Sequence, residues 1–279
     1  MQTRLVRGTE VPAFLYGTAW KEDRTEALTS LALEAGFRGV DTANQRKHYV
    51  EAAVGAAVAR ARTAGIPRES LFLQTKFTHP AGQDHRLPYD PKADVGTQVA
   101  ESFERSLEHL GTTYVDSYVL HGPSTRSGLA PDDLAAWRAM EKIHASGRAK
   151  LLGVSNVSAD QLALLCREAT VSPAFVQNRC FAVTGWDREI RAFCAAEGIV
   201  YQAFSLLTAN APVLSLRPVL GPAERLGKTP SEIVFRFAVE SGMLPLTGTS
   251  DEAHMRRDLA IGEFSLTGPE RSEIERVLG

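Results

Sequence analysis

Residues Gly39 to Gly55, GVDTANQRKHYVEAAVG, have the order of a strand, an acidic residue, a polar loop and a helix. The short apolar run ends at Asp41, and a helical pattern begins near Tyr49. This order places a charged side chain at the carboxyl end of a buried strand, which is where α/β enzymes have their active sites. The rest of the chain repeats this unit or supplies partners for Asp41.

Eight strand–helix units of this kind recur along the 279 residues. Their apolar residues run almost continuously instead of alternating, which is typical of parallel strands buried on both faces. Eight units in a chain of this length favour a (β/α)8 TIM barrel over a doubly wound sheet, and the glycine-rich motifs of nucleotide-binding sheets are absent from the sequence. The predicted strands cover residues 13–17, 38–41, 71–75, 115–120, 149–154, 175–177, 200–204 and 243–246.

Both ends of the chain carry additional short elements. Residues 4–6 and 9–11 predict a β-hairpin that closes the amino-terminal end of the barrel. After the last barrel helix, residues 263–279 predict one short helix capped by Thr267. No linker rich in Pro, Gly or Ser divides the chain, so a single domain over residues 1–279 is predicted.

The composition is that of an ordinary globular protein, with a net charge of −2 and 44% hydrophobic residues. The lack of a basic excess argues against nucleic acid as a partner. No apolar stretch has the length of a signal peptide core or a membrane span, so we expect a cytoplasmic protein without a membrane partner. The three cysteines show no C-x-x-C spacing and are expected to be reduced thiols.

Polar side chains follow three successive predicted strands: Asp41, Lys76 and His121. The carboxyl ends of barrel strands meet at one mouth, so we expect these side chains to lie close together. A Lys beside an Asp stays charged in a buried mouth because each charge offsets the desolvation of the other. The ammonium can then lower the pKa of a neighbouring proton donor, and the His can donate a hydrogen bond to a carbonyl oxygen.

Each of these residues also has a purely structural interpretation. Asp41 fits a helix cap, Lys76 a solvated loop residue and His121 a buried core histidine. Their joint placement after three strands favours an acid–base site. No metal site is predicted, because the His and Asp residues of the loop after Lys76 lack the spacing of a preformed ligand set.

Six motifs in order, GVDTA, LFLQTKF, YVDSYVLHGP, GRAKLLGVSN, PAFVQN and VYQAFSLL, resemble the aldo-keto reductase family over residues 14–259. The resemblance implies a barrel that binds NADP(H), or possibly NAD(H), and reduces a small-molecule aldehyde, ketone or imine by hydride transfer. It identifies Asp41, Lys76 and His121 with three of the family's four catalytic residues. It also implies a truncated carboxyl-terminal loop and a monomer or weak oligomer.

The resemblance further assigns ligand contacts. Ser155, Asn156 and Gln177 match the residues that hold the nicotinamide carboxamide, and Phe204 stands where the family usually has the Tyr that stacks on the ring. The full set of expected cofactor contacts is Gly17, Thr18, Asp41, Ser155, Asn156, Gln177, Phe204, Ser205, Leu207, Thr247, Gly248, Thr249, Ser250, His254 and Asp258. The expected substrate contacts are Trp20, Phe77, Cys180 and Phe181.

The fourth catalytic residue of the family is a Tyr, and its position departs from the pattern here. Counting forward from Asp41 gives Arg46, whereas counting back from Gly55 gives His48. Loops absorb insertions and helices do not, so the count from the helix is preferred; it predicts His48 as the proton donor, with Tyr49 beside it. Neighbouring helical residues point about 100° apart, so only one would face the mouth unless the first turn frays.

Three alternatives follow from this departure. Tyr49 takes the role of proton donor, or the barrel is a non-redox lyase or isomerase, or it is a cofactor-binding regulatory protein. Arg46 and Lys47 would favour an anionic substrate if they faced the site, and otherwise belong to a solvated loop.

The segment expected at the cofactor phosphate also departs from the family. Leu246 follows Pro245 where the family has a Lys, and His254 is nearest the position of an Arg. Residues 247–250 are expected to bind phosphate through backbone N–H groups and hydroxyls at a helix start. NADPH remains the first expectation and NADH the second.

Overall fold

The computed structural model describes residues 3–278, and eight parallel strands in it form a closed barrel. Each strand pairs with its neighbours in chain order, and the last strand pairs with the first. The predicted (β/α)8 barrel is therefore confirmed. A hairpin of β1 (Thr3–Val6) and β2 (Thr9–Pro12) precedes the barrel strands, which are β3 (Leu15–Gly17), β4 (Gly39–Asp41), β5 (Phe72–Phe77), β6 (Val115–Leu120), β7 (Ala149–Ser155), β8 (Phe175–Arg179), β9 (Val200–Phe204) and β10 (Leu244–Thr247).

Helices follow the strands and bury the outer face of the barrel. The element lengths agree with the predicted ones to within a few residues at each end. None of the helices in residues 3–278 is long and apolar enough to cross a membrane. The helices are α1 (Thr25–Ala35), α2 (Glu51–Thr63), α3 (Val95–Leu110), α4 (Pro131–Ala145), α5 (Ala159–Glu168), α6 (Arg188–Ala196), α7 (Arg217–Leu226), α8 (Pro230–Glu240), α9 (Glu252–Leu259) and α10 (Gly268–Glu275).

The hairpin closes the barrel at the end opposite the mouth. Arg4 donates to the backbone oxygens of Gly242 at 3.1 Å and Met243 at 3.2 Å, directly before β10. Arg7 donates to Pro173 O at 2.9 Å, just before β8. Because these acceptors lie at the amino ends of the strands, the hairpin occupies the predicted position.

Helix α2 begins two residues later than predicted, at Glu51. Its first residue is fixed by buried contacts, since Glu51 accepts from the Thr75 hydroxyl and lies 3.0 Å from His109 Nδ1. Val50 has the non-helical angles φ −124° and ψ 77°. His48 and Tyr49 therefore belong to the loop before the helix, and the 100° spacing of helical residues does not apply to them.

Candidate active site

Asp41 and Lys76 form a buried ion pair at the carboxyl ends of β4 and β5. Lys76 Nζ lies 2.7 Å from both carboxylate oxygens and 2.8 Å from Thr42 O. The side chain of Lys76 is fully buried, and Asp41 is 3% exposed. Burial lowers the pKa of Lys76, and the Asp41 carboxylate opposes that shift. The pair has the geometry that the strand-end positions predicted.

Three glutamine amides join Asp41 in one hydrogen-bonded layer across the barrel interior. Gln74 Nε2 donates to Asp41 Oδ1 at 2.7 Å, and Gln177 Nε2 donates to the same oxygen at 3.0 Å. Gln202 Oε1 accepts from Gln74 at 2.8 Å and from Gln177 at 2.9 Å, and Gln202 Nε2 donates back to Gln74 Oε1 at 2.9 Å. A carboxylate only accepts hydrogen bonds, so Asp41 fixes which end of each neighbouring amide faces it.

Tyr49, not His48, is the loop residue that lies against the ion pair. The Tyr49 ring centroid is 5.2 Å from Lys76 Nζ, and the ring packs edge-to-face on His121 with centroids 5.9 Å apart. His48 instead stacks on Trp20, with ring centroids 3.9 Å apart and planes at 37°. Counting back from Gly55 placed His48 at this position, and the structure places Tyr49 there instead. The turn in which Tyr49 N donates to Gln45 O at 3.0 Å sets the direction of both side chains.

The protonation states of the aromatic side chains follow from burial. Burial, with the nearby Asp41 carboxylate, raises the pKa of Tyr49 above its usual range. Lys76 was expected to lower the pKa of Tyr49, but this effect is outweighed because Asp41 offsets the charge of the ammonium. Burial, the Lys76 charge and His48 lower the pKa of His121 to about 3. At neutral pH the site thus holds a protonated phenol and a neutral imidazole.

Thr78 connects the imidazole to the loop after β5. Its hydroxyl lies 2.7 Å from His121 Nδ1, and its backbone oxygen accepts from the Tyr89 hydroxyl at 2.7 Å. The neutral imidazole has one N–H, so the partner at Nδ1 decides which nitrogen faces the mouth with a proton. The sequence reasoning did not single out Thr78.

A pocket of about 800 Å³ opens above these groups. Asp41 lies at its floor, whereas Lys76 lies behind Asp41 and does not reach its surface. The predicted residues that line it are Gly17, Trp20, Asp41, His48, Tyr49, His121, Ser155, Asn156, Gln177, Phe204, Ser205, Leu207, Thr247, Gly248 and Thr249.

Three of the four expected substrate contacts do not line this pocket. Phe77 and Cys180 have no exposed surface and belong to the hydrophobic core between strands and helices. Side chains alternate along a strand, so the inward direction of Lys76 sends Phe77 outward. Phe181 lies beyond the pocket, directly before a short 3-10 helix. Of the four, Trp20 lines the pocket.

Four expected cofactor contacts also lie off the pocket. Thr18 is buried and donates its hydroxyl to Asp41 O at 3.0 Å. Ser250 and His254 are exposed at the start of α9. Asp258 lines a separate cavity of about 410 Å³, where burial raises its pKa to about 7. For these four residues a role in cofactor binding stays a prediction.

The loop carrying Tyr49 is bonded to the loop after β5. Gln45 Nε2 donates to Gly82 O at 2.7 Å, and Gln83 Nε2 donates to Asn44 O at 2.8 Å. Arg86 adds a hydrogen bond to Arg46 O at 2.9 Å. The loop over residues 78–94 thus borders the pocket and supports the position of Tyr49.

A model described as the aldo/keto reductase family matches residues 6–211. The chain belongs to the aldo/keto reductase family. Deoxymugineic acid synthase 1 of Zea mays is 31% identical to it over 96% of this chain and 88% of that protein. An aldo-keto reductase of Mycobacterium sp. (strain MCS) is 30% identical over 96% and 87%. The crystal structure of an aldo/keto reductase from Brucella melitensis has 28% identity and a TM-score of 0.84, covering 100% of this chain and 99% of that one.

Membership of the family confirms the expected enzyme class, an NAD(P)H-dependent oxidoreductase, and NADP(H) is the cofactor of the family. The phosphate-binding role expected of residues 247–250 stays a prediction, and in this aldo/keto reductase the loop before α9 carries an acidic helix cap. Asp251 caps the helix by accepting from His254 N at 2.9 Å, and Thr249 Oγ1 accepts from Asp251 N at 3.2 Å. These N–H groups are therefore engaged within the loop, and the cap adds a negative charge.

Proposed function

We propose that this aldo/keto reductase reduces a small aldehyde, ketone or imine with NADPH, and that Tyr49 donates the proton. The observation that supports this proposal is the position of Tyr49, whose ring lies 5.2 Å from Lys76 Nζ and packs on His121. The alternative of a regulatory protein rested on a lost proton donor, and the position of Tyr49 argues against that loss. A lyase or isomerase would use the same residues, and oxidation of NADPH with test aldehydes distinguishes it from a reductase.

The pocket residues fit a nicotinamide ring. Gln177 Nε2 is committed to Asp41 and Gln202, which leaves its Oε1 to accept from a carboxamide N–H2 in the pocket that Gln177 lines. Ser155 and Asn156 line the pocket next to Gln177, and Phe204 offers an aromatic ring for stacking. NADPH, when bound, supplies the hydride.

The proton comes from Tyr49. Tyr49 holds its phenolic proton at neutral pH, so the group is available as a general acid. Loss of that proton leaves a phenolate, whose charge the Lys76 ammonium stabilises. When the Thr78 hydroxyl donates to His121 Nδ1, 2.7 Å away, the imidazole proton lies on Nε2, where it can orient the substrate oxygen.

The test compares Tyr49→Phe with His48→Phe in the reduction of aromatic aldehydes by NADPH. Tyr49→Phe is expected to lower kcat by about 100- to 10,000-fold, the usual contribution of general acid catalysis. His48→Phe keeps an aromatic ring on Trp20 and is expected to change kcat by less than about fivefold. Titration of NADPH fluorescence serves as the control, with similar Kd values in all three proteins.

Two results would contradict the proposal. A larger loss in His48→Phe than in Tyr49→Phe would assign the proton to the other residue. Absence of NADPH binding by the unmodified protein would refute the function itself. The single domain over residues 1–279, the monomeric or weakly oligomeric state and the cytoplasmic location stay predictions.

A further inference from the structure

Arg179, the last residue of β8, brings an arginine into the pocket that the sequence reasoning missed. Side chains two residues apart on a strand share a face, so Arg179 points to the same side as Gln177. Gln177 lies in the amide layer, and Arg179 therefore lies one step nearer the mouth. The residue is exposed and lines the pocket. Its Cζ atom is 5.7 Å from the ring centroid of Phe204.

The pocket does not offset the charge of Arg179. Among the described residues that line it, Asp41 is the one carboxylate, and that group is already bonded to Lys76, Gln74 and Gln177. A second cation, Lys21, lines the pocket and donates to the neutral carbonyl of Gly248. The pocket therefore carries a net positive charge before a ligand enters.

This charge does not come from the residues first considered for it. Lys47 is exposed and does not line the pocket, and Arg46 Nη1 donates to Tyr49 O at 3.1 Å. His48 and His121 add no charge near neutral pH, because the pKa values of both are lowered. Arg179 and Lys21 thus provide the attraction for an anion.

We propose that Arg179 binds an anionic oxygen group, a carboxylate or a phosphate, of a ligand in this pocket. The planar guanidinium matches such groups with two parallel hydrogen bonds, which a lysine cannot form. Two sources of the group are possible in the proposed reaction: a carboxylate on the carbonyl substrate, or a phosphate of the cofactor. The proposal rests on the proposed function and names the ligand chemistry of the same site.

The experiment uses a neutral and an anionic form of one aldehyde, methyl 4-formylbenzoate and 4-formylbenzoate. Both are reduced by the unmodified protein and by Arg179→Gln, and NADPH Kd is measured by fluorescence titration. Arg179→Lys tests whether the two parallel hydrogen bonds of the guanidinium are needed. Arg167→Gln on the outer face of α5 is the matched control, because it removes the same charge from an exposed arginine outside the pocket.

A substrate carboxylate at Arg179 predicts that Arg179→Gln lowers kcat/KM for 4-formylbenzoate about tenfold more than for the ester, with unchanged NADPH Kd. A cofactor phosphate predicts an NADPH Kd about tenfold higher and an equal loss for both aldehydes. In either case the kcat/KM and Kd values of Arg179→Lys are expected to lie between those of Arg179→Gln and those of the unmodified protein. Arg167→Gln is expected to give the values of the unmodified protein.

The proposal is overturned if Arg179→Gln leaves both NADPH Kd and the ratio of the two kcat/KM values within twofold of the unmodified protein. An equal change in Arg167→Gln would also overturn it. Failure of the proposed function gives a different result, since the unmodified protein would then not oxidise NADPH with either aldehyde. In that case the Kd values of the two aldehydes, measured by quenching of tryptophan fluorescence, replace the kinetic comparison, and the proposal is overturned if Arg179→Gln leaves both their ratio and the NADPH Kd within twofold of the unmodified protein.

Discussion

The amide layer below the pocket makes a prediction that separates stability from cofactor binding. Gln74 and Gln202 exchange hydrogen bonds in both directions, and both side chains are fully buried. We expect Gln74→Leu to leave Gln202 Nε2 without an acceptor and to remove one of the donors to Asp41. Gln202→Leu leaves Gln74 Oε1 without a donor.

The magnitudes follow from the cost of a buried polar group that loses its partner, about 1–3 kcal/mol. Gln74→Leu affects two such groups and is expected to lower the free energy of unfolding by about 3 kcal/mol, and Gln202→Leu by about 2 kcal/mol. The double variant removes both amides together, so its loss is expected to be about 2–3 kcal/mol, well below the sum of about 5 kcal/mol.

NADPH affinity is expected to follow a different order. Gln202→Leu and the double variant remove the acceptor that holds Gln177 Nε2 at 2.9 Å, while the bond to Asp41 remains. The Gln177 amide is then less firmly oriented, and NADPH Kd is expected to rise about fivefold in both variants, roughly the effect of one hydrogen bond. Gln74→Leu keeps that acceptor and is expected to change Kd by less than about twofold.

Urea denaturation and NADPH fluorescence titration measure the two quantities on the same four proteins. Stability losses that add in the double variant would refute the reciprocal pairing of the two amides. Recovery of NADPH affinity together with stability in the double variant would refute the role of Gln202 in orienting Gln177.

Two further predictions concern the segment after β10. Asp251→Ser keeps a helix-capping oxygen but removes a negative charge from the loop, so NADPH Kd is expected to fall about threefold while NADH Kd stays unchanged in fluorescence titrations; equal changes for both cofactors would contradict this. The pKa of Asp258 is about 7 in the folded protein, well above the pKa of about 4 of an aspartate in the unfolded chain, so its contribution to stability is lost as pH rises from about 4 to about 7. Asp258→Asn is expected to raise the free energy of unfolding more at pH 8 than at pH 5, and an equal gain in urea denaturation at both pH values would be the contrary result.

The strands were predictable because their apolar runs end in turn residues and recur with a helix between them. The site was predictable where the fold alone fixes a position, as at Asp41, Lys76 and His121, which lie at or directly after the carboxyl ends of strands. His48 was predicted wrongly as the inward residue, since the start of α2 depends on the contacts of Glu51 with Thr75 and His109 across the structure. Local sequence does not contain those contacts.

The other mispredicted positions follow from the alternation of side chains between the two faces of a strand. With Lys76 inward, a period of two predicts that Gln74 points inward and Phe77 outward. Applied from Gln177, the same rule predicts that Arg179 points inward and that Cys180 lies on the outer face. These positions were thus available from the sequence. The hydrogen bonds among the three amides depend on the register between β8 and β9 and on the closure of the barrel, which brings β5 across from them.

The hydrogen bonds from Gln45 and Gln83 between the two mouth loops have a consequence for protein engineering. A graft of residues 78–94 from a relative, made to change substrate selection, would remove the partners of the loop that positions Tyr49. The two segments therefore form one transplantable unit, and a productive chimaera requires both from the same parent. Recombination between residues 49 and 78 separates parts that function together.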